Sequence, residues 1–161
     1  MVEMQTNEDE FMNYFEQLLQ NQIFINAVIG WFCAQVLKTI THLIVYKKFV
    51  WERLLGDGGM PSAHSATVCA LATTTFLTVG PSSAEFAISA TLAIIVMHDA
   101  CSVRYEAGKH AQVLNEMIEI FESISNKTLS TEEKLKEFVG HTKLQVFMGA
   151  MLGIGVAILL S

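Results

Sequence analysis

Four stretches of the chain are apolar over lengths that suit a helix, and polar residues mark where each begins and ends. Ile23 to Tyr46 is the longest and can cross a bilayer, although Gln35, Lys38, Thr39, Thr41 and His42 interrupt it. Ser65 to Val79 is shorter and rich in Ala and Thr, and Ala84 to Val103 carries His98 and Asp99 near its end. Both span with their small polar residues turned inward. Leu144 to Leu160 is strongly apolar and contains Gly149-x-x-x-Gly153, the spacing at which two helices pack closely. The pattern predicts four spanning helices. Ser82-x-x-Glu85 is a capping box that opens the third, after a tight turn at Gly80-Pro81. Ahead of them, Phe11, Met12, Phe15, Leu18 and Leu19 recur at helical spacing within residues 8–20, as in an amphipathic helix on the membrane surface or against the bundle. Residues 105–140 form the one long polar insertion, with a helix over Ala107 to Ile124 and another opening at the Ser130-x-x-Glu133 capping box.

Composition places this pattern in a membrane. With 161 residues, 52% hydrophobic content and a mean hydropathy of +0.40, the chain is too apolar for an ordinary soluble protein. The expected fold is all-α: an integral membrane helical bundle of about four spanning helices, with an amphipathic N-terminal segment over 1–21 and a polar helical insertion over 105–140. Residues 1–161 then make one membrane domain. The acidic N-terminus has no basic region ahead of the first apolar run, so no secretory signal is expected. Cys33, Cys69 and Cys101 fall within the apolar segments and are odd in number, which suits free buried thiols. The net charge of -6 includes no basic stripe, and no nucleic-acid partner is expected. Lys47, Lys48 and Arg53 form a basic loop that the positive-inside rule assigns to the cytoplasm, with the N-terminus outside and the plasma (inner) membrane as the expected location. The insertion shares the cytoplasmic side, so the Asn126-Lys127-Thr128 sequon faces away from glycosylation.

The chemistry concentrates at Gly58-Gly59-Met60-Pro61-Ser62-Ala63-His64-Ser65-Ala66, just ahead of the second apolar run. Two glycines permit a sharp turn, and Pro61 suits a first helical turn. The following N–H groups point outward and favour an anion such as phosphate, while His64 can exchange a proton with it. Taken alone, the string also fits a capped helix with an incidental histidine. The topology adds to it. Lys38 and His42 at the end of the first helix, Ser62 and His64 at the start of the second, His98, Asp99 and Arg104 at the end of the third and His141 at the start of the fourth all converge on one membrane face. Gln35, Lys38 and His42 share one stripe, which faces the bundle rather than lipid.

At these residues the chain resembles a known superfamily. Pro61-Ser62-Ala63-His64 is similar to the Pro-Ser-Gly-His motif of the acid phosphatase and vanadium haloperoxidase superfamily, which includes the type 2 phosphatidic acid phosphatases. With Gln35-x-x-Lys38 before it and Asp99-Ala100-x-x-Val103-Arg104 after it, it resembles the divergent small-membrane-protein branch of that superfamily. Gly140-His141 through Val146-x-x-Gly149 resembles the end of the third superfamily motif.

The resemblance implies a phosphatase acting on a lipid phosphate or diphosphate through a phosphohistidine, with no cofactor and no metal. His141 would be the nucleophile and His64 the general acid. Arg104 would clamp phosphate oxygens, with Lys38, Gly59, Ser62, Asp99 and Gln145 as further substrate-binding positions. Partners would be the phosphorylated substrate and membrane lipids, with a homo-oligomer left open. The chain departs from the pattern in three places. Gln145 stands where an acid orients the nucleophile. The first motif is unrecognisable, so Lys38, Lys47 and Arg53 compete for its cation. The insertion separates Arg104 from His141, whereas His110 keeps the compact spacing but lacks the motif that should follow; His141 is preferred because it precedes a membrane helix. The alternatives are a lipid-phosphate binding or transport protein without turnover, which Gln145 favours, and a purely structural membrane subunit.

Overall fold

Each apolar run becomes a helix because its backbone groups have no partner in lipid except one another. The computed structural model describes residues 12–47, 59–125, 135 and 140–161. After a helical stretch over 12–20, five helices follow: α1 (Gln22–Tyr46), α2 (Ala63–Thr78), α3 (Ala84–Cys101), α4 (Val103–Ser125) and α5 (Lys143–Leu160). Among the described residues there is no strand. The basic loop beyond Lys47, Gly58, the Ser130-x-x-Glu133 box and the Asn126 sequon lie outside the described residues.

Among the described residues, three helical stretches are long and apolar enough to cross a membrane: Gln22–Tyr46, the apolar part of Ala84–Phe121, and Lys143–Leu160. The second apolar run forms the 16-residue α2, about 24 Å long against a hydrocarbon core of about 30 Å. Its neighbours compensate for the short length, because α2 is the centre of the bundle and packs on α1, α3 and α5. Ala63, Ser65, Ala66, Cys69, Ala70, Thr74 and Thr75 are all buried in it. Small side chains let the backbones close in, which is how helices associate when lipid competes for every apolar surface.

Glycines on both neighbours complete the fit. A Cβ on Gly30 of α1 would stand 2.9 Å from the Ala70 Cβ, and one on Gly153 of α5 would stand 2.9 Å from the Ala66 carbonyl carbon. Gly149 meets Ser62 and Ser65 in the same way. The Gly149-x-x-x-Gly153 face is therefore occupied inside the chain. Asn26 of α1, a polar residue within the longest apolar run, is buried and donates to Thr74 Oγ1 at 3.2 Å. Because Gly149 faces Ser62 and Gly153 faces Ala66, α2 and α5 run parallel, and both begin at the same end of the bundle.

The turn at Gly80 has a φ of +99°, a conformation that favours glycine. The cap of α3 lies one residue beyond the predicted box: Ser83, not Ser82, accepts from Phe86 N–H at 3.1 Å, and Glu85 falls in the first turn. Cys33, Cys69 and Cys101 are free thiols, of which Cys69 is buried.

Candidate functional site

Two helix N-termini lie side by side at one end of the bundle. Ser62 caps α2, its fully buried hydroxyl accepting from Ser65 N–H at 3.4 Å and from the Ser65 hydroxyl at 3.1 Å. Thr142 caps α5 in a reciprocal box: Thr142 Oγ1 accepts from Gln145 N–H at 3.3 Å while Gln145 Oε1 accepts from Thr142 N–H at 3.0 Å. Ser62 N–H donates to the Gln145 carbonyl at 3.0 Å and ties the two starts together. Parallel N-termini add their positive dipole ends over one small region, which favours an anion.

A histidine stands at each start. His64 is exposed in the first turn of α2, and His141 is buried one residue ahead of the Thr142 cap. Their ring centroids are 6.2 Å apart at an interplanar angle of 59°. Both line a cavity of about 220 Å³ together with Asp99, Arg104 and an apolar wall of Ile95, Val96 and Ala100. Arg104 Nε donates to Asp99 Oδ2 at 2.7 Å, which positions the guanidinium at the cavity rim. A second cavity, about 410 Å³, adjoins the outer side of His141 and is lined by Cys101, Ser102, Tyr105, Glu106, Thr142 and Lys143.

His141 is held from three directions. Its backbone N–H donates to the Ala100 carbonyl at 2.9 Å, its Nδ1 lies 3.2 Å from Gln145 Oε1, and the preceding Gly140 rests on the backbone of Arg104 and Tyr105. A Cβ on Gly140 would stand 2.6 Å from the Arg104 carbonyl carbon. These contacts bring His141 to Arg104 across the 105–140 insertion. Gln145 Oε1 already accepts from the Thr142 N–H, so its amide is oriented with oxygen toward the ring. The pairing then selects the tautomer with hydrogen on Nδ1 and the lone pair on Nε2.

Of the residues singled out in the sequence, His64, His141, Arg104 and Asp99 share the first cavity. Gln145 supports His141 from beneath. Lys38 is buried at the end of α1, and Gly59, with a φ of +92°, covers its stem so closely that a Cβ there would lie 3.1 Å from Lys38 Cγ. Lys38, Gly59 and Ser62 thus build the floor and turn rather than line the cavity. His98 is exposed and pairs with the Ser102 hydroxyl at 3.2 Å, His42 stacks on Tyr46, and His110 is exposed on α4. None of the three lines the cavity. Lys47 forms the left-handed cap of α1, while Arg53 lies outside the described residues. Two further features, outside the residues singled out in the sequence, shape the mount of His141. Thr142-x-x-Gln145 has the capping-box spacing, a visible signal. The Gly140 contact has no local signal, because the Tyr105 backbone it meets is thirty-five positions earlier.

A bundle of apolar helices that presents two histidines, an arginine and two helix N-termini at one end defines an integral membrane protein with a polar site at its mouth. The chain belongs to the Divergent PAP2 family, whose model matches residues 19–156. It is 37% identical to a Bacillus subtilis (strain 168) protein described as an uncharacterized membrane protein, YuiD, over 90% of this chain and 97% of that relative. No solved structure matches it.

Proposed function

We propose that this membrane protein is a phosphatase of lipid phosphates or diphosphates, acting through a phosphohistidine as one membrane domain. The observation that carries this reading is the sharing of one cavity by His64, His141 and Arg104. Membership of the Divergent PAP2 family supports the same class of chemistry.

His141, with Nδ1–H donated to Gln145, attacks phosphorus through Nε2. The N–P bond forms as the P–O bond to the leaving group breaks, and His64 gives its proton to the departing oxygen. In the second step His64 takes a proton from water, the water oxygen bonds phosphorus, and the N–P bond breaks to release phosphate. The Arg104 guanidinium and the paired helix N-termini stabilise the charge that gathers on the phosphoryl oxygens. Asp99 holds Arg104 and moderates its charge. The basic loop at 47–53 supports a cytoplasmic mouth in the plasma (inner) membrane, which single-cysteine labelling at Asp57 and Lys127 tests: labelling from opposite sides overturns the shared mouth.

A binding or transport protein without turnover is the second reading, favoured by the neutral amide at Gln145, which stabilises an imidazolium less than a carboxylate does. Phosphate release from a panel of lipid phosphates by detergent-purified protein, run beside equilibrium binding of vanadate, decides between them. Turnover that His141→Ala abolishes upholds the phosphatase. Binding without release of phosphate from any substrate replaces it with the second reading.

A further inference from the structure

The cavity that holds the two histidines is polar at one end and apolar at the other, and the change runs along α3. Asp99 and its partner Arg104 stand at the site end of that helix, whereas Ile95 and Val96, which line the same cavity, come one turn earlier. A turn rises about 5.4 Å. Because α3 is long and apolar enough to cross the membrane, Ile95 and Val96 lie deeper in it than Asp99 by about that distance. Ala100 extends the apolar surface toward His141, whose N–H its carbonyl accepts.

Volume limits what this wall meets. At about 30 Å³ for a group the size of a water molecule, the cavity of about 220 Å³ holds about seven such groups. A phosphate ester brings four oxygens, which leaves room for about three carbons of the departing group. With the phosphoryl oxygens held by Arg104 and the histidines at the polar end, those carbons fall against Ile95 and Val96. In a diacylglycerol phosphate the second and third of them bear ester oxygens. In a simple alkyl phosphate all three are hydrocarbon. An ester set against isoleucine and valine loses water and gains no donor from them, while each methylene removed from water is favourable.

We propose, on the reading of this cavity as a lipid-phosphate site, that Ile95 and Val96 determine which lipid phosphates it takes: those whose phosphate is borne directly on a hydrocarbon chain, in preference to diacylglycerol phosphates. Carbons beyond the third lie outside the cavity, so the substituents on the first three matter more than chain length.

Competition with bound vanadate in detergent-purified protein tests the preference without turnover. Pentyl phosphonate and 2-acetoxyethyl phosphonate match in length, dissolve in water and resist hydrolysis at the P–C bond. The natural chain is expected to bind the pentyl compound about ten-fold more tightly. Val96→Thr and Ile95→Thr keep a β-branched side chain and supply a hydroxyl that can donate to an ester, so each should narrow the ratio to about three-fold or less. Ile94→Thr, on an exposed neighbour that does not line the cavity, should leave it near ten-fold. Equal affinities in the natural chain, vanadate displaced by neither compound, or a ratio that both wall variants leave unchanged overturns the proposal. Phosphate release in nanodiscs is measured alongside, from hexadecyl phosphate and from dihexadecanoyl phosphatidate. Faster release from the alkyl phosphate supports the proposal, and faster release from the phosphatidate overturns it. Release from neither, with the binding ratio and its response to Val96→Thr intact, removes the phosphatase reading and upholds the preference for a binding protein.

Discussion

His64 and His141 line one cavity from the starts of two parallel helices, yet they are mounted in contrasting ways. His141 is 4% exposed and fixed by the Ala100 carbonyl, the Gln145 amide and the fit of Gly140 on the Tyr105 backbone. His64 takes its place from α2 and is exposed. In the proposed mechanism this difference suits a division of labour between the two rings. An attacking atom must sit in line with the bond it breaks, where a misplacement of about 1 Å costs on the order of a hundred-fold in rate. A proton donor that serves a leaving group and then a water tolerates, and benefits from, more freedom.

The largest effect is expected from deleting the two rings. His141→Ala should abolish turnover and any trapped phosphoenzyme, whereas His64→Ala should slow hydrolysis of alkyl phosphates by about a hundred-fold or more and spare aryl phosphates, whose leaving groups depart with little protonation. Rates measured on matched alkyl and aryl esters check this, and equal losses on both remove His64 from the role of acid. Next in size is Gly140→Ala, which leaves both rings in place but forces a Cβ into the Arg104–Tyr105 backbone. Displacement of His141 should lower kcat by about a hundred-fold with helical content retained in circular dichroism. An unchanged kcat breaks the claim that His141 depends on its mount.

Gln145 sharpens the comparison further. Gln145→Leu removes the acceptor from Nδ1 and should lower kcat about ten- to a hundred-fold, the usual cost of losing a group that orients a histidine. Gln145→Glu keeps an acceptor, adds the missing charge and should raise the rate above that of the natural chain. If both variants behave alike, the 3.2 Å contact is incidental to the chemistry. The smallest effect is expected at Arg104, whose charge Asp99 already moderates: Arg104→Ala should weaken vanadate binding by about ten-fold in calorimetry, in keeping with the loss of a charge-assisted hydrogen bond. Unchanged affinity removes it from the phosphate clamp.

Much of this arrangement was legible in the chain. Hydrophobic segments of membrane length, a glycine-proline turn ahead of Ser62 and His64, and the Gly149-x-x-x-Gly153 spacing are local patterns, each tied to a local physical need: backbone bonds satisfied within a helix, a cap for the first turn, close approach of two backbones. The convergence of helix ends followed because antiparallel spans joined by short loops return to one face. The cap of α3 moved by one residue, since Ser82 and Ser83 are equivalent as local signals and only the turn at Gly80, whose carbonyl accepts the Ser83 hydroxyl at 2.8 Å, distinguishes them.

What the sequence determined by itself was therefore the membrane bundle, the caps and the residue types available at its mouth, all of which depend on neighbours within a few positions. Tertiary structure alone decided that the 16-residue α2 sits at the centre, that α5 closes on it at Gly149 and Gly153, and that His141 and Arg104 line one cavity although the insertion separates them in the chain. Those outcomes rest on contacts between residues far apart in the chain: Gly153 on Ala66, Gly140 on Tyr105, the His141 amide on Ala100. Such contacts are set by steric fit at separations where the order of residues carries no periodic trace, and the shape that selects them exists only once the helices have packed.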